Sequence, residues 1–272
     1  MGEPIIITSA SNQIIKEIRS LHDKKGRLTS QAFLLEGYRI VKDAVDSGAS
    51  IKYFIASDSF YNKDESFFSY YQNIKTIRIP DSLFERIGET RTPQGLMAVV
   101  DIPEFDISSI LKKSERVVAL ENLQDPGNLG TIIRTADACG FDAVLLSKDC
   151  ANPYNSKVIR STMGSLFHIP VIIAGDFYGA LNELKLRGIN LVAAHTRDAL
   201  PCWQADLKGN IAVIIGNEGN GLSDKILEIA NSTIMIPMIG KAESLNASAA
   251  ASMLIYESFR QRMLFISSND FL

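Results

Sequence analysis

The second half of this 272-residue chain alternates short apolar runs with helical patterns, and this alternation most constrains the fold. The apolar runs are Val117–Leu120, Ala143–Leu146, Val171–Ala174, Leu191–Ala194, Ile211–Ile215 and Thr233–Ile236. The last predicted helix extends from about Ser244 to about Leu264. Nearly continuous apolar strands joined by helices predict an α/β fold with a parallel sheet covered on both faces. Ligands bind such sheets beyond the carboxyl ends of the strands.

The first hundred residues predict a second, smaller α/β unit. Helical patterns cover 12–21, 37–47 and 83–87, and strand patterns cover 32–35, 51–56, 75–79 and 96–100. The segment 101–108 contains a proline and several acidic side chains and breaks the alternation. We therefore expect an N-terminal domain over 1–101, a linker over 102–113 and a larger domain over 114–272.

Charge is distributed unevenly along the chain. The formal net charge is −3, which argues against a protein that coats nucleic acid without specificity. Residues 1–42, however, contain seven basic and four acidic side chains. This excess predicts a local basic face with Lys24, Lys25, Arg27 and Arg39 as contacts for phosphate groups. The alternative is an ordinary solvated helix surface.

Several classes of protein are disfavoured by what the sequence lacks. The three cysteines have no CxxC spacing and the three histidines are scattered without an HExxH pattern, so we expect no metal site and a reduced compartment. No apolar run approaches the length that spans a bilayer, and the first residues do not resemble a signal peptide. The prediction is a cytoplasmic protein without membrane attachment.

Three polar, glycine-bearing loops follow predicted strands and open helices. They are Glu121–Gly130, Gly216–Ser223 and Pro237–Ser248. Glycine lets backbone N–H groups approach a ligand, and helix N-termini offer unpaired donors. Together the loops predict a pocket for a polar ligand with an adenosine-like part. Each loop alone also fits a tight turn, with Ser223 and Ser244 as helix caps.

Other nucleotide-binding and hydrolase patterns do not fit. The sequence contains no GxxxxGK[ST] phosphate loop and no GxSxG nucleophile turn. The glycines of 216–221 follow a late strand and have the order GxxGxG, not the GxGxxG of dinucleotide-binding folds. An oxidoreductase is therefore the weaker alternative.

The three loops, taken in order, resemble motifs 1, 2 and 3 of the SpoU/TrmH family of RNA ribose 2′-O-methyltransferases in the SPOUT superfamily. The matching residues are Asn128-x-Gly130-x-x-x-Arg134-x-Ala136, Gly216-Asn217-Glu218-Gly219-x-Gly221, and Ile236-Pro237-Met238 followed by Ser244-Leu245-Asn246-x-Ser248-x-Ala250. The first part resembles the family's RNA-substrate-binding domain through Phe33-Leu34-Leu35-Glu36-Gly37-x-Arg39 and Thr92-Pro93-Gln94-Gly95-Leu96-Met97-Ala98. The resemblance covers nearly the whole chain.

The resemblance implies a catalytic domain with a deep trefoil knot that holds S-adenosylmethionine (SAM). The implied cofactor-binding residues are Ala194, Gly216, Asn217, Ile236 and Leu245. The family also implies a homodimer with the active site at the subunit interface. The long last helix would serve that interface or pack against its own sheet.

The implied reaction is methyl transfer from SAM to a ribose 2′-hydroxyl of RNA. The implied catalytic residues are Asn128, Arg134, Glu218, Ser244 and Asn246, and Arg160 joins the candidate RNA contacts. Arg134 would act as a base, or bind phosphate and stabilise the developing alkoxide, with Glu218 holding either Arg134 or backbone donors. The expected substrate is 23S ribosomal RNA. Alternatives are a transfer-RNA methyltransferase and a non-catalytic RNA-binding or ribosome-assembly protein on the same scaffold.

Overall fold

The computed structural model describes residues 4–269, with side chains described as far as Leu264. The extreme ends of the two predicted domains, residues 1–3 and 270–272, lie outside the described residues. The chain forms two compact units. One comprises residues 4–104 together with Tyr154–Ile159, and the other comprises Phe105–Pro153 together with residues 160–269.

The N-terminal unit is built on a five-stranded mixed sheet. Its strands are β1 (Ile5–Ile6), β2 (Ala32–Glu36), β3 (Ile51–Ser57), β4 (Thr76–Ile79) and β5 (Leu96–Asp101). Its helices are α1 (Gln13–Ser20), α2 (Lys24–Ser30), α3 (Tyr38–Asp46), α4 (Asp58–Lys63), α5 (Glu65–Tyr70) and α6 (Asp81–Ile87). The strand order is β1-β4-β3-β5-β2, and β5 is antiparallel to both of its neighbours. The strands and helices predicted for this region are confirmed.

The apolar stripe of α1 explains why the N-terminal helix forms where the pattern predicts it. Ile15 and Ile18 are fully buried on one face, and they join Ile55, Ile77 and Val99 of the sheet in one hydrophobic cluster. Asn12 accepts a hydrogen bond from the Ile14 N–H and so caps the helix. The short elements β1, α2, α4 and α5 were not predicted, because fewer than eight residues give too little periodicity.

Arg27 is a correction to the predicted basic face. Its side chain is only 4% exposed, and Nη1 donates to the carbonyl oxygens of Leu21 at 2.9 Å and His22 at 2.8 Å. Burial lowers the pKa of Arg27, while Glu89 and Asp23 act in the opposite direction. This guanidinium ties α2 to the end of α1, so it is removed from the candidate phosphate contacts.

The C-terminal unit is built on a seven-stranded sheet in which every pairing is parallel, as predicted. Its strands are β6 (Arg116–Leu120), β7 (Ala143–Ser147), β8 (Val171–Ala174), β9 (Asn190–Ala194), β10 (Leu200–Pro201), β11 (Ile211–Ile215) and β12 (Ser232–Met235). The strand order is β10-β12-β9-β11-β6-β7-β8. The six predicted strands are confirmed to within one residue at each end.

Helices connect these strands. They are α7 (Ile107–Lys113), α8 (Pro126–Ala138), α9 (Ser156–Thr162, which begins in the segment grouped with the N-terminal unit), α10 (Phe177–Leu186), α11 (Asp224–Ile229) and α12 (Ala247–Asn269). A short 3₁₀ turn covers Ser165–Phe167. None of the helices described combines the length and hydrophobicity needed to cross a membrane.

Helix α7 lies inside the segment predicted as a linker. Leu111 is fully buried in the main core of the C-terminal unit, and Phe105, Ile107 and Ile110 pack against the same core. The proline and acidic residues before it do mark a break in the pattern, but a one-sided apolar stripe resumes at Ile107. Residues 107–113 are therefore a folded part of this unit.

Two helix starts differ from the predicted positions. Helix α8 begins at Pro126 with Asp125 as its N-cap, so Asn128 and Gly130 lie in the helix instead of the preceding loop. Helix α12 begins at Ala247, and Asn246 accepts hydrogen bonds from the N–H groups of Ser248 and Ala249. Asn246, and not Ser244, therefore caps the last helix.

Candidate functional site

A cleft of about 870 Å³ opens at the carboxyl edge of the parallel sheet. Its walls come from the segments that follow three adjacent strands, β9, β11 and β12, and from the start of α12. Because these strands are parallel and adjacent, their carboxyl ends bring segments that are distant in sequence to one place.

The cleft collects all five residues predicted to bind the cofactor and two of the predicted catalytic residues. Those that line it are Ala194, Gly216, Asn217, Glu218, Ile236, Ser244 and Leu245. Apolar side chains of Ile215, Leu222 and Leu254 form part of the same wall. The remaining predicted catalytic residues, Asn128, Arg134 and Asn246, are not among the described residues that line the cleft.

Gly216 is required by a close approach of the backbone. A Cβ atom at this position would lie 2.3 Å from the carbonyl carbon of Gly221 and 2.5 Å from the Leu222 nitrogen. Asn217 and Gly221 exchange backbone hydrogen bonds of 3.0 Å, and the Asn217 Oδ1 accepts from the Gly219 N–H at 2.9 Å. The segment therefore folds back tightly on itself at the end of β11.

A chain of side-chain hydrogen bonds connects the three loops. Glu218 Oε1 accepts from Asn128 Nδ2 at 3.1 Å, and Asn128 Oδ1 accepts from Asn246 Nδ2 at 3.0 Å. Glu218 also accepts from the N–H groups of Gln124 at 3.3 Å and Asp125 at 3.1 Å. Residues from the starts of α8 and α12 are thus tied to the loop after β11.

Glu218 is held in its charged form. Partial burial by itself would raise the pKa of this carboxyl group, but the hydrogen bonds from Asn128 and from backbone N–H groups, those of Asp125 and Gln124 among them, leave the pKa below its ordinary value. These bonds also decide between the predicted roles of Glu218. It holds backbone donors and Asn128, not Arg134.

Arg134 projects from α8 with an exposed side chain. No hydrogen bond or ion pair joins Arg134 to another residue within 4–269, and Asn128 bonds to Glu218 and Asn246 instead of orienting Arg134. A long cation about 1.7 turns along the helix from Asn128 is therefore available to a ligand.

Sequence reasoning missed several polar residues around the cleft. Asn122 adopts a left-handed conformation with φ of 55°, and its carbonyl oxygen accepts from Asn217 Nδ2 at 2.8 Å. Asparagine tolerates this conformation better than most residues, which was the available signal. Arg197, Asp198, Asp224 and Glu243 also line the cleft. Their positions just after strand ends, or in the loops there, could have identified them.

The candidate RNA contacts of the N-terminal unit divide into two groups. Lys24, Lys25 and Arg39 are exposed, whereas Arg27 is buried. Arg39 follows Gly37, where φ is +118°, at the start of α3, and the Tyr38 N–H donates to Gln94 Oε1 at 2.8 Å. This bond joins the two sequence segments that resemble a substrate-binding domain.

Two further observations concern Arg160 and metal binding. Arg160 is exposed on α9 in the C-terminal unit.

Within the described residues, no group of three or more His, Cys, Asp or Glu side chains is arranged to hold a metal ion.

Both units match known protein families. Residues 115–256 match the SpoU rRNA Methylase family, and residues 12–98 match the MRM3-like substrate binding domain. The first match contains all three glycine-bearing loops, two of which line the cleft. The second contains the exposed side chains Lys24, Lys25 and Arg39.

Relatives are similar over nearly their whole length. The 23S rRNA (guanosine(2553)-2′-O)-methyltransferase RlmP of Bacillus subtilis (strain 168) is 35% identical over 92% of this chain and 97% of the relative. An AdoMet-bound rRNA methyltransferase from Sinorhizobium meliloti superposes with a TM-score of 0.85 at 29% identity, covering 95% of this chain and 98% of that one. The SpoU methyltransferase AviRb from Streptomyces viridochromogenes, in complex with AdoMet, gives 0.82 at 27% identity, covering 93% and 98%.

Proposed function

The chain belongs to the SpoU rRNA methylase family, and from this we propose that it transfers a methyl group from SAM to a ribose 2′-hydroxyl of 23S ribosomal RNA. The observation that carries the proposal is the joining of the three loops. Hydrogen bonds from Asn128 to Glu218 and from Asn246 to Asn128 tie the start of α8 to the two loops that line the cleft at the carboxyl edge of the sheet.

The cleft residues fit SAM in shape and charge. Gly216 lets the loop after β11 fold back tightly at the rim of the cleft, and the Ile215, Leu222 and Leu254 walls suit a flat, apolar ring. Carboxylates of Asp198, Asp224 and Glu243, together with Glu218, line the same cleft and favour a cationic sulfonium.

Bound SAM supplies an electrophilic methyl group, and the protein must make a weak hydroxyl nucleophile attack it. We assign to Arg134 the binding of the nucleotide phosphate and the stabilisation of negative charge as it develops on the 2′-oxygen. A guanidinium stays protonated in proteins, so it orients and stabilises but accepts a proton poorly. The exposed, unpartnered Arg134 side chain supports this assignment.

The other predicted catalytic residues receive supporting roles. Asn128 and Asn246 fix the start of α8 against the start of α12. Arg134 projects from the same helix α8, further along. Glu218 anchors both to the loop after β11. Ser244 lines the cleft beside Leu245, and we assign its hydroxyl to the wall of the methyl-transfer pocket.

We assign RNA docking to the N-terminal unit. The exposed Lys24, Lys25 and Arg39 make contacts with phosphate groups that position the RNA without reading its sequence, and Arg160 adds one from the C-terminal unit. The match to a substrate-binding domain over residues 12–98 supports this division of labour.

We further propose that α12 serves a homodimer interface. Ala251, Leu254 and Ile255 are buried on one face of the helix, whereas Met253 is 49% and Tyr256 58% exposed on another. A second copy of this chain would cover those apolar side chains. Sedimentation equilibrium tests this, because it measures the mass of the protein particle in solution directly. The trefoil knot implied by the family and the cytoplasmic location predicted from the sequence stay predictions.

The test of the proposed function is methyl transfer from labelled SAM to total RNA from a strain that lacks the protein. We expect label in 23S ribosomal RNA at one 2′-oxygen. Alkaline cleavage locates it, because 2′-O-methylation protects the adjacent phosphodiester. Label in transfer RNA instead would make the chain a transfer-RNA methyltransferase. Absence of label in any RNA, with RNA binding retained, would favour the non-catalytic alternative.

A further inference from the structure

Glu121 is a buried carboxylate to which the reaction described above gives no role. It follows β6 directly, is only 2% exposed, and its N–H donates to the Ile215 carbonyl oxygen at 2.9 Å at the end of β11. It therefore lies where β6 and β11 end side by side. A carboxylate this deeply buried is costly unless donors surround it.

Three donors converge on this carboxylate. Ser223 donates its backbone N–H to Oε2 at 2.8 Å and its hydroxyl to Oε1 at 2.6 Å. The Tyr178 hydroxyl donates to Oε1 at 2.9 Å. The ammonium group of Lys225 lies 3.7 Å from the centre of the Tyr178 ring, so a positive charge is close to the network.

Ser223 is the far end of the loop that lines the cleft. The loop is fixed at its start by β11 and the tight packing of Gly216 against Gly221, and at its end by the two bonds from Ser223 to Glu121. Leu222 and Asp224, the neighbours of Ser223 on either side, both line the cleft. A shift of Ser223 would therefore move cleft walls directly.

We propose that Glu121 is a positioning residue for SAM: by holding Ser223, its carboxylate keeps Gly216–Leu222 in the shape that forms the cofactor cleft. This inference rests on the proposed function, because it concerns the same cleft. In this role Glu121 touches neither SAM nor RNA and acts on the cofactor cleft only through Ser223.

Glu121→Gln tests the role with the smallest change of shape. Glutamine keeps one acceptor oxygen for the Ser223 N–H but turns an NH₂ group toward the Ser223 and Tyr178 hydroxyls, which lose the charged oxygen to which they donate. We expect SAM to bind about tenfold more weakly by calorimetry, the effect of losing one hydrogen bond to a charged group. The KM for SAM should rise by the same factor, while kcat at saturating SAM and the KM for RNA stay at wild-type values.

Glu36→Gln is the matched control. Glu36 also accepts backbone hydrogen bonds from a distant loop, at 2.9 Å from the Glu89 N–H, but in the N-terminal unit. This variant should lose thermal stability without losing SAM affinity. If Glu121→Gln behaved in the same way, with a lower unfolding temperature and unchanged SAM affinity, Glu121 would be merely structural and the inference would be overturned.

Ser223→Ala keeps the test decisive if Glu121→Gln does not fold. It removes only the hydroxyl donor and should weaken SAM binding in the same direction by a smaller factor, whereas unchanged affinity would overturn the inference. The two proposals fail separately. SAM binding by the wild type with no change in these variants rejects only the role of Glu121, and no SAM binding by the wild type rejects the proposed function as well.

Discussion

The C-terminal sheet is parallel throughout, whereas the N-terminal sheet pairs β5 antiparallel to both β3 and β2. In the parallel sheet every carboxyl end lies on the same edge, so residues as far apart as Asn128, Glu218 and Asn246 meet there. In the mixed sheet β5 runs against the other four strands, so its carboxyl end lies at the opposite edge from theirs. The common direction of the strands thus explains how the C-terminal unit brings segments distant in sequence together at one edge.

Both units nevertheless fasten a loop with a glutamate. Glu36 accepts from the N–H groups of Glu89 and Thr90, as Glu218 accepts from those of Gln124 and Asp125. The difference lies in what the fastened loop borders. Glu218 itself lines the cleft. The loop that Glu36 fastens at Glu89 continues to Gln94, which accepts from the N–H of Tyr38 next to Arg39. On our proposal, the same device serves methyl transfer in one unit and RNA docking in the other.

Arg134→Ala should have the largest effect and tests the C-terminal side of this comparison. We expect methyl transfer to fall about 10²–10³-fold, as when one preorganised electrostatic group is removed from an active site. SAM affinity should stay at the wild-type value because Arg134 is not among the residues lining the cleft. Single-turnover transfer and calorimetry measure the two quantities separately.

Arg134→Lys is the matched variant for that experiment. It keeps the positive charge but loses the planar fork that binds phosphate in a bidentate manner, so its activity should lie between those of the wild type and Arg134→Ala. Methyl transfer by Arg134→Ala at close to the wild-type rate would remove Arg134 from the mechanism.

Glu218→Gln should have an intermediate effect that depends on pH. The pKa of Glu218 is below its ordinary value, so its carboxylate stabilises the fold fully above the pKa of an unfolded glutamate, about 4.3, and loses that contribution as the pH falls through the folded-state pKa. At pH 7 we expect Glu218→Gln to cost less than about 1 kcal/mol of unfolding free energy, because solvent screens this exposed carboxylate. The difference from wild type should shrink below about pH 4, as denaturant unfolding would measure.

Glu243→Gln is the control for the pH experiment. Glu243 lines the same cleft, but no hydrogen bond to its side chain is found in the described part of the chain. This variant should unfold like the wild type at both pH values. A Glu218→Gln cost that persisted undiminished at low pH would contradict the charged network.

Lys24→Ala combined with Lys25→Ala should have the smallest effect and tests the N-terminal side. Two lost phosphate contacts should make the slope of log affinity against log salt shallower by about 1.4 for single-stranded RNA, with a few-fold loss of affinity. Filter binding at several salt concentrations measures the slope. Arg27→Ala is the contrast, because its buried guanidinium should cost stability and leave the salt slope unchanged. A shallower salt slope for Arg27→Ala with an unchanged slope for the lysine variant would restore Arg27 as a phosphate contact and exclude Lys24 and Lys25.

Hydrophobic periodicity predicted the sheets well because buried strands and amphipathic helices must repeat their apolar residues. It failed where elements are short, as in α2 and α5, and where a break such as 101–108 concealed the start of α7. It also could not reveal that Arg27 is buried, since a basic residue in a seven-residue helix looks like a surface residue.

The site was predicted from three loops and a family resemblance, and the identity of the cleft residues followed largely from them. The hydrogen bonds that connect these residues did not follow from the sequence. Nothing in the sequence indicates that Glu218 bonds to Asn128 and to backbone donors instead of to Arg134, or that Glu121 holds Ser223. Those contacts depend on which strands are neighbours, and the order β9-β11-β6 is a property of the tertiary fold.

The central claim is that the C-terminal unit alone builds the SAM site. Calorimetric titration of SAM, without RNA, into the wild type, Gly216→Ala and the Lys24→Ala/Lys25→Ala variant tests it most directly. We predict binding by the wild type and the lysine variant with equal affinity, and none by Gly216→Ala, whose Cβ would lie 2.3 Å from the Gly221 backbone. Wild-type affinity in Gly216→Ala, or loss of binding in the lysine variant, would contradict the account.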